Sequence, residues 1–185
     1  MNTVNIDGIE LFNSMYPNFF ESVKKLPEDA VYEEMLLPLG DRNFTYKKDF
    51  GEDISFGFYN GEADVLREAI EKVDKDWVQF FDGGRVYCGY CGGKIASFCL
   101  VDNMGEYNVN GRTLKVGGPG CVGTVPEFRR KGIGLAMVAK VTEIFADEGF
   151  DVSYIHYTGV ADWYAKLGYR TFAKWGKSGF IGNNP

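Results

Sequence analysis

The richest stretch for chemistry is Val122-Gly-Thr-Val-Pro-Glu-Phe-Arg-Arg-Lys-Gly-Ile-Gly-Leu135. It reads as a strand end, a tight turn with three consecutive cations (Arg129, Arg130 and Lys131), and a helix opened by Gly132 and Gly134. A helix start presents unpaired N–H groups and a partial positive charge. Glycines there let an anion reach the backbone with no Cβ in the way. Full charges beside those amides make the turn a pyrophosphate cradle. It is not a P-loop, because no Gly-Lys-Ser/Thr follows four spacer residues. It is not the dinucleotide fingerprint either, because an arginine stands where the first glycine would be. A solvated basic loop before an ordinary helix would explain the glycine spacing alone. The three cations favour an anion site.

Two other constellations compete for chemistry. Cys88-Gly-Tyr-Cys91 could hold zinc or run disulfide exchange, with Cys99 and Cys121 completing four ligands. There is no second Cys-x-x-Cys, and three-residue spacing along a strand sends the two thiols to opposite faces. They are read as small buried hydrophobes, and no metal is expected. Glu62 and Asp64 stand near Phe58 and Tyr59, and acids beside aromatics suit a cationic amine. An acid-rich first helical turn explains them more simply.

These residues need elements to hold them. ISFGFYN (54–60) is aromatic and β-branched and predicts a strand. Residues 62–81 place Val65, Leu66, Ala69, Ile70, Val73, Trp77, Phe80 and Phe81 at helical spacing, and Asp82-Gly83-Gly84 ends that helix. Residues 85–91 and 94–103 flank Gly92-Gly93 as a β-hairpin, and Asn110-Gly111 marks a second tight turn. Residues 115–125 form the next strand, where Pro119 among glycines predicts a bulge or a splayed edge. A helix from about 132 to 148 follows, then a strand over 151–157, a short helix over 161–168 and a strand over 169–175. Upstream, 9–26 reads as helical with a break at Pro17, and 30–37 (AVYEEMLL) as a second helical run. The organisation expected is a partly helical N-terminal extension, residues 1–50, packed on a main domain of residues 51–185. The order predicts a mixed α/β or α+β fold with a mostly antiparallel sheet flanked by helices.

Arg129-x-x-Gly132-x-Gly134 after a Val-Pro strand end resembles the acetyl-CoA signature of the GCN5-related N-acetyltransferase (GNAT) superfamily. Asp162-Trp-Tyr-Ala-Lys-Leu-Gly-Tyr-Arg-Thr-Phe172 is similar to that family's second signature. The resemblance covers residues 54–175 and implies a sheet splayed beside the first signature. It implies that Val122, Gly123 and Thr124 pair with the pantetheine arm. Arg129, Arg130, Lys131, Gly132, Ile133, Gly134 and Leu135 would then hold the pyrophosphate. Tyr164 matches the family's tyrosine that protonates the departing thiolate, a task a phenol suits. Read alone, Tyr164 is a core aromatic on a short helix. Many relatives carry an Asn seven residues before that tyrosine, and Tyr157 stands there instead. A general base should take a proton from the acceptor amine. Residues 115–125 hold no carboxylate. That leaves Asp102, Glu106 and His156, or a water chain. His156 is the single histidine, and imidazole is suited to proton transfer near neutrality. A lone strand histidine is more often a hydrogen-bonded structural residue.

The composition agrees with one globular enzyme-sized chain of 185 residues, 45% hydrophobic and 25% charged. The net charge of −6 argues against an electrostatic grip on nucleic acid or an anionic membrane. No apolar run reaches the length of a membrane helix, and the first residues carry no leader pattern. A cytoplasmic location with reduced thiols is expected. The function expected is an acetyl-CoA-dependent N-acetyltransferase, direct transfer to a small-molecule or peptide amine, with a homodimer possible. The alternatives are a non-catalytic acyl-CoA-binding or sensing module, and a zinc or redox protein using Cys88 and Cys91.

Overall fold

A computed structural model describes residues 6–40, 46 and 48–182. Its elements are α1 (Gly8–Met15), α2 (Phe19–Ser22), β1 (Tyr32–Pro38), β2 (Ile54–Phe58), α3 (Ala63–Glu71), β3 (Val86–Cys91), β4 (Lys94–Val109), β5 (Arg112–Thr124), α4 (Ile133–Asp147), β6 (Val152–Thr158), α5 (Ala161–Ala165), β7 (Arg170–Gly176) and β8 (Gly179–Gly182). Short 3-10 segments occupy Lys75–Phe80 and Pro126–Phe128. The eight strands form one sheet in the order β2-β3-β4-β5-β6-β1-β7-β8. Pairings β2–β3, β3–β4, β1–β6, β1–β7 and β7–β8 are antiparallel, and β5–β6 is parallel. The fold is therefore the mixed α/β class with a mostly antiparallel sheet, as expected. Among the described residues no helix is long and apolar enough to cross a membrane. The chain forms two compact units.

The first unit comprises Met1–Asn43, Met104–Gly117 and Phe145–Pro185. Asp7 opens α1 by accepting from the Glu10 amide at 3.0 Å, the usual satisfaction of an orphan helix donor. Pro17 and a left-handed Asn18 (φ 60°) separate α1 from α2, the break that the sequence predicts. Leu11 and Phe12 of α1 pack on a core of Val116, Val152 and Tyr154.

The helix expected over residues 30–37 is instead strand β1. It runs between β6 and β7, so Glu34, Met35, Leu36 and Leu37 are all buried. A strand covered on both faces carries a continuous apolar run. Periodicity cannot tell such a run from a short buried helix. The β1 registers with β6 and β7 both shift beside Glu34. Strand β8 has no counterpart in the sequence reading.

The second unit comprises Phe44–Asn103 and Gly118–Ile144. The helix expected over 62–81 is two pieces. α3 ends at Glu71, and Asp74 starts the 3-10 turn by accepting from the Asp76 amide at 2.9 Å. That side-chain bond offers the backbone an alternative to the helix ladder. Leu66, Ile70, Phe81, Val86, Cys88, Phe98, Leu100 and Val125 form the unit's core. Gly92 and Gly93 turn the β3–β4 hairpin with φ of 55° and 76°, as the sequence predicts. β5 continues through Pro119, its pairing with β6 runs over Val116 and Gly117 just before that proline, and a left-handed Cys121 (φ 45°) follows two residues after it.

Candidate functional site

In the second unit the chain leaves β5 at Thr124, makes the 3-10 turn, and enters α4. Arg129 is anchored at both ends of its side of the turn. Its amide donates to Pro126 O at 3.2 Å, and its Nε donates to Thr124 O at 3.0 Å. Arg130 takes a left-handed φ of 62° and Gly132 one of 81°. The Gly132 carbonyl accepts from the Ala136 amide at 3.1 Å. The amides of Ile133, Gly134 and Leu135 thus fall in the first helical turn, where no carbonyl lies one turn back. Arg129, Arg130 and Lys131 are exposed, while Ile133, Gly134 and Leu135 are buried.

A fourth cation joins them. Lys48 Nζ donates to Lys131 O at 2.6 Å. A Cβ on Gly132 would lie 2.9 Å from Tyr46 Oη and 3.0 Å from Lys48 Nζ, side-chain tips that can shift, so it is the left-handed backbone that calls for glycine there. Lys48 escapes sequence reading because its partner is 83 residues away. Four cations around a helix start suit an anionic diphosphate, so these residues fit the group that the signature implies. Upstream, Gly123 lies flat on Phe98, whose ring would sit 2.4 Å from an added Cβ. Val122 and Thr124 flank it, half-buried.

The same unit holds the cysteines. Burial pushes the Cys88 thiol up to about 12, and burial with Asp102 and Asp74 pushes Cys121 up to about 11. Burial also raises Cys99 well above its ordinary range. Protonated, buried thiols are poor ligands and nucleophiles. Among the described residues no three His, Cys, Asp or Glu are grouped to hold a metal ion. Asp102 is half-buried, and burial raises its carboxyl. A cleft of about 610 Å³ lies along α4, lined by Tyr46, Lys48, Phe50, Phe56, Lys140 and Glu143 among others.

Tyr164 and His156 belong to the first unit. Tyr164 is buried on α5, edge-on to Trp163 at 4.8 Å and to Tyr169 at 5.9 Å. Tyr169 is itself fixed by a 2.6 Å bond between its hydroxyl and Ser153 Oγ.

His156 lies on β6. Its ring stacks on Tyr16 at 4.2 Å and 15°, with Phe19 edge-on at 5.1 Å. Its Nδ1 lies 3.0 Å from Glu34 Oε2. Glu34 is fully buried and takes three further donors: Tyr154 Oη at 2.8 Å, Trp175 Nε1 at 2.5 Å and the Tyr157 amide at 3.2 Å. Burial and the Glu34 carboxylate together hold the Tyr154 phenol well above its ordinary range. Tyr157 has a left-handed φ of 58° and stacks on Tyr32 at 4.0 Å. Glu34 is the residue that sequence reading missed. Its partners come from β6 and β7, more than a hundred residues later. The only local signal is the odd glutamate pair before Met35-Leu-Leu.

The family model described as an acetyltransferase (GNAT) domain matches residues 54–172. No curated protein matches the sequence. Among solved structures, the GCN5-related glucosamine N-acetyltransferase region of a fungal multi-domain GH3 β-N-acetylglucosaminidase superposes with a TM-score of 0.67 at 20% identity, over 85% of this chain and 22% of that one. A GCN5-related N-acetyltransferase from Kribbella flavida gives 0.55 at 16% identity, over 80% and 57%. A GNAT-family protein from Novosphingobium aromaticivorans gives 0.54 at 20%, over 79% and 62%. This chain thus spans less than two thirds of each of these structures, and at such identities the likeness is one of fold.

Proposed function

Because this chain belongs to the GNAT acetyltransferase family, we propose that it moves an acetyl group from acetyl-CoA to the amine of a small molecule or peptide. The observation that carries the reading is the turn at residues 129–134, where Arg129, Arg130, Lys131 and Lys48 gather at the start of α4. Acetyl-CoA supplies an activated acetyl group, whose carbon gains a bond to nitrogen as its bond to sulfur breaks. In this reading the chain's residues do the rest. Arg129, Arg130, Lys131 and the amides of Ile133, Gly134 and Leu135 bind the pyrophosphate. The β5 backbone at Val122, Gly123 and Thr124 pairs with the pantetheine arm. Tyr164 donates the proton that the departing sulfur needs, and His156 takes a proton from the acceptor.

The test is release of free thiol from acetyl-CoA across a panel of amines, with mass spectrometry of the products. The expected result is an N-acetylated product. Tight CoA binding without turnover on any amine would replace the reading with a binding or sensing module.

A further inference from the structure

His156 lines a shallow, open cavity of about 360 Å³ in the first unit, together with Phe19, Ser22, Val23, Lys25, Leu26 and Tyr157. The cavity is built largely by α2 and the residues after it. Its chemistry is uneven. Phe19, Val23 and Leu26 offer apolar walls. Ser22 spends its hydroxyl on Phe19 O at 2.6 Å. Lys25 is the one formally charged side chain in the lining.

The imidazole that faces this cavity is fixed from behind. Stacking on Tyr16 sets the ring plane, and Glu34 sets the ring's rotation through Nδ1. Glu34 also sets the tautomer. Trp175 Nε1 and the Tyr157 amide are donors only, and both meet Oε1. Tyr154 Oη and His156 Nδ1 meet Oε2. A carboxylate only accepts, at about four positions, and three of its four neighbours here are defined donors, so the fourth, His156 Nδ1, is satisfied only as a donor too. His156 therefore carries its proton on Nδ1 and presents Nε2 as an acceptor. An imidazolium formed there would stand 3.0 Å from a buried carboxylate, the arrangement by which an acid behind a histidine supports a base.

We infer that this cavity receives the acceptor amine, that His156 Nε2 takes the amine's proton, and that Glu34 is the positioning residue that makes it able to. The inference rests on the acetyl-transfer reading and names its acceptor side. The acceptor is an amine on an apolar body with no second positive charge, since Lys25 repels one. In the step, one N–H bond of the ammonium breaks and an Nε2–H bond forms. The freed electron pair stays on the amine nitrogen.

Glu34→Gln tests the pair with its shape preserved. The two obligate donors must keep the amide oxygen, so the amide nitrogen faces Tyr154 and His156. Nδ1 then becomes the acceptor and the proton moves to Nε2, where it blocks the base. With a single histidine in the chain, 15N-histidine NMR reads the tautomer without overlap. Wild type should show the Nδ1–H form and Glu34→Gln the Nε2–H form, with kcat down about a hundredfold or more and KM for acetyl-CoA unchanged. His156→Asn keeps a donor in the place of Nδ1 and nothing in the place of Nε2, so it should fold and lose kcat alike. An Nε2–H wild type, or either variant retaining wild-type kcat, overturns the base. For the cavity, 2-phenylethylamine should be acetylated in preference to spermidine. The reverse preference, or turnover of neither, overturns the acceptor assignment. The NMR result stands apart from turnover, so a failure of acetyl transfer is distinguishable from a failure of the Glu34–His156 pair.

Discussion

Gly123→Ala offers the sharpest test of how β5 is seated. The added methyl would meet three atoms of the Phe98 ring at 2.4, 2.6 and 3.0 Å, where ordinary contact begins at 3.4 Å. The ring has little freedom to yield. It is fully buried and packs edge-on against Phe81 at 5.5 Å and 79°. Either the ring or the strand must retreat by about 1 Å, a strain that overpacked cores register as about 1–3 kcal/mol. A chain of this size loses about 2–4 °C of melting temperature per kcal/mol, so the change is readily measured by urea or thermal unfolding. If the strand gives way, the backbone of residues 122–124 moves with it. A misplacement of about 1 Å can cost about a hundredfold in turnover. Phe98→Leu should make room for the methyl, so the double variant should be more stable than the sum of the single losses implies. Gly123→Ala with wild-type stability, or a double-mutant cycle with no coupling, would refute the seating of β5 on Phe98.

Four further outcomes are expected. Arg129→Ala should weaken CoA binding more than about tenfold by titration calorimetry, because it removes a charge and the anchor to Thr124 O. Tyr164→Phe should slow acetyl transfer by about a hundredfold with CoA affinity retained, and equal turnover would remove the phenol from the chemistry. Cys88 and Cys121, raised from 9.0 to about 12 and about 11, keep protons in the folded state that the unfolded chain loses. Their contribution is intact below pH 9.0 and falls as pH climbs toward 11 and 12, so urea midpoints should decline across that window and iodoacetamide labelling should stay slow until unfolding. Ser97 Oγ is buried with no hydrogen-bond partner among the described residues, so Ser97→Ala should leave stability unchanged or raise it by up to about 1 kcal/mol in the same unfolding assay.

What could be read from the sequence was what is local. The turn at 129–134 is a run of neighbouring residues whose glycines and cations state their own conformation, and Gly132 and Arg130 adopt the left-handed angles that such a turn needs. The hairpin at Gly92-Gly93 and the break at Pro17 are legible for the same reason. The reading failed where tertiary surroundings decide. Residues 32–38 form a strand because β6 and β7 flank them, and nothing within AVYEEMLL says so. Lys48 and Glu34 are invisible as site residues because each acquires its role from partners far along the chain. A glutamate beside Met and Leu looks like one exposed face of a helix. Only the four donors around it identify a buried carboxylate.

The position of β1 has a consequence for biosynthesis. This strand leaves the ribosome before both of its neighbours, β6 and β7, which are translated more than a hundred residues afterwards. Until then its ladder groups and the Met35-Leu36-Leu37 run have no proper mate, while a nascent chain is most open to wrong pairing. Truncated forms ending before residue 152 should accordingly depend on chaperones for solubility, since they retain the wedge and lack the groove it fills.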